Sequence, residues 1–229
     1  MSNGKRHVCI IGLGFFGAGL ARSLARHTEV LAIDNDINRV NAIAEHVHRA
    51  LCVDVRDFAA LSTAVSNRFD EAVISIGEGL EASILCTLYV KRIGIPVIRA
   101  KASSEEHAEI LRSIGATQVI FPELETAERV AMKIRNPNLL DFIPITEGYL
   151  LMDVAAPPAF YNSSLESLHF RNRFGVFVIA IKKVHGDEFM FLPSPEYAID
   201  PDDVLVVIGE EGDVTKFLSL SRETTEEKG

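Results

Sequence analysis

The chain has 229 residues, of which 48% are hydrophobic and 24% are charged, and its formal net charge at pH 7 is −9. This composition is typical of a folded protein with one large domain or two small ones. The acidic balance and the lack of a basic stripe argue against nucleic acid as the main partner. The polar residues before Arg6 form no signal-peptide core, and no apolar run reaches the roughly 18–20 residues that span a bilayer. We therefore expect a cytoplasmic protein.

In the first half of the sequence, short β-rich runs alternate with longer amphipathic stretches. The predicted strands cover 7–11, 29–33, 49–53, 71–76, 96–100 and 117–121. The predicted helices cover 15–26, 36–46, 57–66, 79–93, 104–113 and 124–134. Such an alternation predicts a doubly wound, Rossmann-like parallel sheet with helices on both faces. Sheets of this kind bind ligands beyond the carboxyl ends of their strands, where the strand order reverses.

The segment Asn136-Pro137-Asn138 interrupts the alternation and predicts a domain boundary. The elements predicted after it are a strand at 148–155, a break at Pro157-Pro158, a helix at 163–168, strands at 175–184 and 187–192 joined by a turn at 185–187, a strand at 204–208, and a short helix ending near Leu220. The sequence thus predicts a first domain at 1–135, a small α+β domain at 136–221 and a disordered tail at 222–229.

The three cysteines, Cys9, Cys52 and Cys86, lie far apart in apolar surroundings. Their odd number and irregular spacing do not suggest a disulfide framework or a zinc site. We expect all three to be buried free thiols.

A glycine-rich turn, Gly12-Leu13-Gly14-Phe15-Phe16-Gly17, follows the first apolar run, and Asp34 ends the second. Such a turn between a strand and a helix lets backbone N–H groups approach a pyrophosphate at the positive end of the helix. The carboxylate after the second strand is placed to accept hydrogen bonds from ribose hydroxyls. A tight turn without a ligand is the alternative. The order of strand, glycine turn, helix, strand and acid favours a bound adenine nucleotide.

Further polar or small residues follow the other predicted strands, at the same edge of the sheet. The candidate binding residues are Gly12, Gly14, Phe15, Phe16, Gly17, Asp34, Asn35, Asp36, Asp54, Val55, Ile76, Gly77, Glu78, Lys101, Ala102, Ser103, His107 and Glu123. Taken singly, each is equally well explained as a loop residue or a helix cap, and His107 as a solvated histidine on a helix. Taken together, they predict a ligand site.

Two of these residues carry charge toward the expected phosphates. Lys101 would neutralise phosphate charge there. Glu123 facing a polyphosphate is unfavourable unless a cation lies between them, so Glu123 is a candidate ligand for a divalent ion such as Mg²⁺. The alternative is a surface glutamate after Pro122.

The residue pairs that enzymes of this fold use for hydride transfer are missing from the sequence. A dehydrogenase needs a proton donor or acceptor beside the nicotinamide, and none of the four tyrosines has a lysine four residues later. The sequence also lacks a G-x-S-x-G turn and a Walker loop. It therefore predicts a protein that is not an enzyme. The alternative is a soluble NAD(H)-dependent redox sensor or oxidoreductase.

With these features in this order, the chain resembles the regulatory RCK (KTN, TrkA-type) subunits of bacterial potassium uptake systems, particularly the Ktr type. The first domain carries the resemblance in 11–17, 30–34, 76–77, 81–88, 95–98, 101–102, 114–116 and 121–123. The second domain carries it in 164–168, 171–175, 178–182 and 203–209. The combination of the glycine motif with this second domain is specific to the family.

The resemblance implies a cytoplasmic, non-catalytic gating subunit at the inner face of the membrane. Members form homodimers that assemble into rings, typically homo-octamers, beneath a membrane potassium-translocating subunit of the KtrB/TrkH type. ATP and ADP bind the first domain and favour different ring shapes, while NAD or NADH binds some relatives. In some members cyclic di-AMP binds at the dimer interface of the second domain, which here would be lined by 165–178 and Pro193.

Two residues depart from the family pattern. Phe15 stands where Ktr-type members commonly carry an arginine that reaches the terminal phosphates. Such a contact contributes about 1.5–3 kcal/mol, so its loss bears on the discrimination of ATP from ADP. His169 stands where many relatives have Asp or Asn, which bears on the cyclic di-AMP site.

Overall fold

The fold was obtained as a computed structural model, in which residues 5–185 and 188–226 are described. The chain divides into two units, with the division between Glu125 and Thr126. The domain limits predicted from the sequence, at 135 and 221, stay a prediction. In the described part of the chain, no helix combines the length and apolar character that crossing a bilayer requires.

The first unit alternates strands and helices as predicted. Its strands are β1 (His7–Ile11), β2 (Glu29–Asp34), β3 (Arg49–Cys52), β4 (Glu71–Ile74), β5 (Val97–Lys101) and β6 (Gln118–Ile120). Its helices are α1 (Phe15–Leu24), α2 (Ile37–Ala44), α3 (Phe58–Ala64), α4 (Leu80–Ile93), α5 (Glu105–Ile114) and α6 (Pro122–Arg135), the last of which continues past the division.

These strands form one parallel sheet in the order β3-β2-β1-β4-β5-β6. The predicted Rossmann-like fold is therefore confirmed. β1 lies between β2 and β4, so the order of strands reverses beside β1. The helices that follow β1 and β4 pack into different hydrophobic clusters, α1 with Ala21 and α4 with Cys86, and a cleft lies between them at the carboxyl edge of the sheet.

The central strands are mainly apolar in their interiors because both faces of the sheet are covered by helices. In β1, Cys9 and Ile11 pack into one hydrophobic cluster, whereas Val8 and Ile10 pack into another. This arrangement fixes the carboxyl end of β1, and with it the start of the glycine turn.

The cysteines differ in their surroundings. Cys9 and Cys86 are completely buried, and burial raises the pKa of each thiol. Cys52 is exposed, so the prediction of a buried thiol is wrong for this residue. The reason is its position: Cys52 is the last residue of the edge strand β3, where no further strand covers it.

The second unit contains an antiparallel sheet of order β10-β9-β11-β8-β7, which confirms the predicted small α+β domain. Its strands are β7 (Leu139–Thr146), β8 (Tyr149–Ala155), β9 (Val176–Lys183), β10 (Phe189–Phe191) and β11 (Asp203–Glu210). Its helices are α7 (Leu165–Leu168), α8 (Phe170–Phe174) and α9 (Glu211–Glu226), with a 3-10 turn at Pro158–Phe160.

Three details of the second unit differ from the sequence predictions or lie beyond them. β7 was not predicted because Pro144 lies within it, and proline is tolerated there since β7 is an edge strand. α9 continues to Glu226 instead of ending near Leu220, into the stretch predicted as a tail. Of the predicted turn at 185–187, residues 186 and 187 lie outside the described residues.

A buried carboxylate is held inside the second unit by several donors. Asp203 is completely buried and accepts hydrogen bonds from the Tyr197 hydroxyl at 3.0 Å and the Asp200 backbone N–H at 2.8 Å. Lys183 Nζ lies 2.7 Å from Asp203 Oδ1 and 2.9 Å from Asp200 Oδ2. Hydrogen bonds to these two carboxylates raise the pKa of Lys183. The network satisfies a charge that would otherwise be costly to bury.

Candidate functional site

A cavity of about 590 Å³ opens at the carboxyl edge of the parallel sheet, where the strand order reverses. Most of the predicted binding residues line it: Gly12, Gly14, Phe15, Phe16, Asp34, Asn35, Asp36, Asp54, Val55, Ile76, Gly77, Glu78, Lys101 and Glu123. The remaining wall is formed by Ile11, Arg39, Val53, Arg56, Ser75, Gly79 and Ala82. The structure thus gathers residues at or beyond the carboxyl ends of all six strands around one space.

The glycines of the turn after β1 have different physical roles. Gly12 has a φ of +93°, and a Cβ there would lie 2.7 Å from the backbone oxygen of Ser75. A Cβ on Gly17 would lie 1.9 Å from the backbone oxygen of Gly12. These two glycines are therefore required by the backbone and its packing.

Gly14 is not required in this way. Its φ is −62°, which any residue adopts, and a Cβ placed on it would meet nothing within 4 Å. Gly14 is also the N-cap of α1, where no side-chain hydrogen bond from the described residues caps the helix. The first-turn N–H groups of α1 therefore face an open space, which is the arrangement that binds a phosphate group.

Asp34 braces the glycine turn from the end of β2. Its side chain is almost completely buried, and Oδ2 accepts a hydrogen bond from the Leu13 backbone N–H at 2.6 Å. Oδ1 accepts from the Asp36 backbone N–H at 2.9 Å. Each carboxylate oxygen has two lone pairs, so Asp34 can still accept a ribose hydroxyl from the cavity.

Two arginines in the cavity wall are paired with acids and were missed by the sequence reasoning. Arg39 lies 3.8 Å from Asp34 and 3.6 Å from Asp36. Arg56 donates hydrogen bonds to both carboxylate oxygens of Asp54, from Nη2 to Oδ2 at 2.6 Å and from Nε to Oδ1 at 3.0 Å. These bonds lower the pKa of Asp54 to about 2. The short spacing of each arginine from the acid before it, three and two residues, was the available signal.

On the opposite side of the glycine turn, Lys101 donates a hydrogen bond to Glu123 and forms an ion pair with it. The Lys101 side chain is 15% exposed and the Glu123 side chain is 67% exposed. This contact lowers the pKa of Glu123. Lys101 Nζ also lies 3.7 Å from the position of a Cβ on Gly77, in the loop after β4.

Four predicted residues do not line the cavity: Gly17, Ala102, Ser103 and His107. Gly17 packs on Gly12, and Ala102 belongs to the core. His107 is buried, so its interpretation as a solvated histidine is wrong. Its Nδ1 accepts a hydrogen bond from the Ser103 backbone N–H at 3.3 Å, and burial lowers its pKa. His107 thereby stabilises the turn at Ser103, directly after the end of β5 at Lys101.

Within the part of the chain that the structure describes, side chains alone do not form a closed metal site. In residues 5–185 and 188–226, no three His, Cys, Asp or Glu side chains are grouped so as to hold a metal ion. Mg²⁺ in nucleotide sites is commonly bound by one or two carboxylates together with substrate phosphates. Glu123 as a metal ligand stays a prediction.

Two protein-family models match the sequence: the TrkA-N domain over residues 8–122 and the TrkA-C domain over residues 151–222. The chain is 33% identical over 214 residues to Ktr system potassium uptake protein C of Bacillus subtilis (strain 168), covering 93% of this chain and 96% of that protein. It is 32% identical, with the same coverage, to Ktr system potassium uptake protein A of the same strain.

Solved structures with the same fold include the GsuK channel. The GsuK channel matches with a TM-score of 0.63 and 18% identity, covering 95% of this chain and 40% of that one. The structure described as the GsuK channel bound to NAD matches with a TM-score of 0.61 and 17% identity, with the same coverage. The relatives and the domain matches confirm the resemblance seen in the sequence. The chain therefore belongs to the family of TrkA-N and TrkA-C domain proteins that includes the Ktr system potassium uptake proteins.

Proposed function

We propose that the chain is a nucleotide-binding regulatory subunit of a potassium uptake system, which switches a separate membrane pore. The observation that carries the proposal is the open space in front of Gly14, at the uncapped start of α1 and beside Asp34. Family membership supplies the process, because the similar Ktr proteins are named for potassium uptake.

The cavity suits an adenine nucleotide with its phosphates at the glycine turn. Asp34 would accept the ribose hydroxyls, and the wall beyond it, formed by Val53, Asp54 and Val55, would receive the adenine. The first-turn N–H groups of α1 and the Lys101 ammonium would hold the phosphates. ATP and ADP would then switch the pore only as far as their affinities differ between the two states of the ring that the chain forms.

A second ligand class, NAD(H), is favoured by Phe15. Its side chain is fully exposed at the start of α1 and offers an apolar ring where a cation would otherwise meet a terminal phosphate. NAD carries two phosphates and no terminal one, so it needs less positive charge at this place. The GsuK channel of similar fold is described as bound to NAD.

The assembly and location of the chain would be those of the family. The chain would form homodimers within a homo-octameric ring at the cytoplasmic face of the membrane, beneath a potassium-translocating subunit of the KtrB/TrkH type, and would not act as an enzyme. Mg²⁺ would be held between the phosphates and Glu123. Cyclic di-AMP would bind the second unit along 165–178 and Pro193. Residues 165–178 form α7, α8 and the start of β9, and Pro193 follows β10.

Titration calorimetry of the full chain with ATP, ADP, NAD⁺, NADH and cyclic di-AMP, with and without Mg²⁺, tests the ligand. Micromolar or tighter binding of ATP and ADP is the expected result. Tight binding of NAD(H) alone would favour the redox-sensor alternative, and binding of none of them would refute the proposal.

The coupling to transport is tested in a bacterial strain deficient in potassium uptake. Co-expression with a Ktr-type membrane subunit is expected to restore growth at low potassium, and Gly14→Val is expected to reduce the rescue because it fills the phosphate space. Equal growth with and without the chain would contradict the regulatory role.

A further inference from the structure

Of the described residues that line the cavity, three are cations: Arg39, Arg56 and Lys101. Arg39 and Arg56 lie on the β2 and β3 side, where each faces an acid close to it in the sequence. Lys101 lies on the β4 and β5 side and reaches toward Gly77. The loop of Gly77 adjoins the glycine turn, since a Cβ on Gly12 would lie 3.0 Å from the backbone nitrogen of Ile76. Lys101 is therefore the cation on the β4 and β5 side of the expected phosphates, next to the loop that adjoins the glycine turn.

Lys101 has an anionic partner within the chain. Glu123 accepts the hydrogen bond of Lys101 and balances its charge, so the pair brings no net charge to the phosphate end of the cavity. The two partners are unequal in burial, with Lys101 at 15% and Glu123 at 67% exposure. Lys101 is thus held in the wall, whereas Glu123 can turn into solvent at little cost.

We propose that Glu123 is an intramolecular competitor for Lys101, displaced when a ligand phosphate binds, and thereby a specificity-determining residue of the nucleotide site. The inference rests on the proposed nucleotide binding. A ligand must bring enough negative charge to replace a carboxylate at Lys101. The competitor therefore lowers the affinity for metal-free ligands with a phosphate at this position and leaves the affinity for nucleosides unchanged.

The displaced carboxylate remains close to the ligand because Glu123 lies in the first turn of α6. Pro122 fixes the start of that helix, so Glu123 can change its side-chain direction without unwinding the helix. Once released from Lys101, the carboxylate is free to meet a metal ion carried by the phosphates. The same residue then opposes the metal-free ligand and supports the metal-bound one.

The test is calorimetric titration of the full chain with ADP in EDTA, for the wild type and Glu123→Gln. Glutamine keeps the size of the side chain and removes its charge. We expect Glu123→Gln to bind ADP about fivefold more tightly, the effect of releasing a partly exposed ion pair. Adenosine, which has no phosphate, is expected to bind both proteins equally.

A double-mutant cycle distinguishes competition for Lys101 from a general effect of charge. In the Lys101→Gln background, Glu123→Gln is expected not to increase the ADP affinity, because the cation that it would release is missing. Glu125→Gln is the matched control: Glu125 is an exposed acid of the same helix and forms no ion pair within the described residues. We expect it to leave ADP affinity unchanged.

The outcomes separate the two proposals. If the wild type binds ADP and Glu123→Gln binds it equally or more weakly in EDTA, the competitor is refuted while nucleotide binding stands. If Glu123→Gln still increases the ADP affinity in the Lys101→Gln background, competition for Lys101 is also refuted. If neither protein nor any variant binds a nucleotide, the proposed function fails as well. Glu123→Ala is the second variant, and circular dichroism checks that each variant is folded.

Discussion

The carboxylate of Asp34 accepts a hydrogen bond of 2.6 Å from the backbone N–H of Leu13. The acid at the end of β2 therefore holds the glycine turn that follows β1, in addition to facing the cavity. Because the Leu13 N–H is buried in this contact, Asp34 contributes to the shape of the turn even when no ligand is present.

This double role predicts that Asp34→Ala will weaken both binding and folding. The unpaired Leu13 N–H is expected to lower the free energy of unfolding by about 1–3 kcal/mol. Loss of the ribose contact is expected to weaken ADP binding at least tenfold, or ~1.4 kcal/mol. Thermal unfolding and calorimetry measure the two effects. Asp34→Asn, which keeps an oxygen for Leu13, should preserve more of the stability. Unchanged ADP affinity in Asp34→Ala would contradict the ribose role.

The glycine turn predicts opposite results for two similar substitutions. Gly14→Ala puts a methyl group into open space, so the free energy of unfolding should change by no more than about 1 kcal/mol, as for an N-cap substitution. The same methyl group lies where the phosphate would approach, so nucleotide affinity should fall. Gly17→Ala puts its Cβ 1.9 Å from the Gly12 oxygen and should destabilise the fold by about 3 kcal/mol or more. Chemical denaturation and ADP titration of both variants check this. Equal stability of the two would count against the packing role of Gly17.

Phe15→Arg restores the charge that Ktr-type proteins commonly carry at this place. Phe15 is fully exposed, so the stability should change by less than about 0.5 kcal/mol. A charged hydrogen bond to a terminal phosphate is expected to improve ATP affinity about tenfold. Titrations with ATP, with adenosine as the phosphate-free control, measure the gain. An equal gain for adenosine would show that the arginine does not contact the phosphates.

In the second unit, Lys183→Met should destabilise the fold because it leaves the buried Asp203 carboxylate without its cation. We expect a loss of roughly 3 kcal/mol, since breaking a buried pair on one side is costly. Lys182→Met is the control: Lys182 pairs with Asp153 at 2.5 Å, but both side chains are more exposed, so about 1 kcal/mol or less is expected. Urea denaturation of both variants measures the difference.

The same network predicts a dependence on pH. Folding raises the pKa of Lys183, so its contribution to stability is complete below the unfolded-state pKa of about 10.4 and is lost as the pH rises through the folded-state value. The stability difference between wild type and Lys183→Met should therefore stay constant from neutral pH to about pH 10 and narrow above it. A difference that narrows below pH 9 would indicate another titrating group.

The parallel sheet could be predicted because its strands and helices differ clearly in length and apolar pattern. β7 could not, since Pro144 lies within it and the preceding Asn136-Pro137-Asn138 indicates a break. Only the pairing of β7 with β8 shows that this stretch is the edge of a sheet. Local sequence signals do not contain that long-range pairing.

The loops that form the cavity could also be predicted, because parallel strands bring their carboxyl ends to one edge. The side-chain pairings across the cavity could not. Lys101 and Glu123 are 22 residues apart, and their contact depends on the pairing of β5 with β6. His107 looks solvated among glutamates in the sequence, yet its face of α5 is buried.

The unequal burial of the three thiols makes the natural chain suitable for site-specific labelling. Cys9 and Cys86 are fully buried and their pKa values are raised, so both should resist alkylation in the folded protein. Cys52 is exposed and lies opposite Asp34 in the sheet. The next residue in the chain, Val53, lines the cavity. A maleimide fluorophore should therefore attach at Cys52 without any engineered cysteine and report on ligand entry at the adenine end.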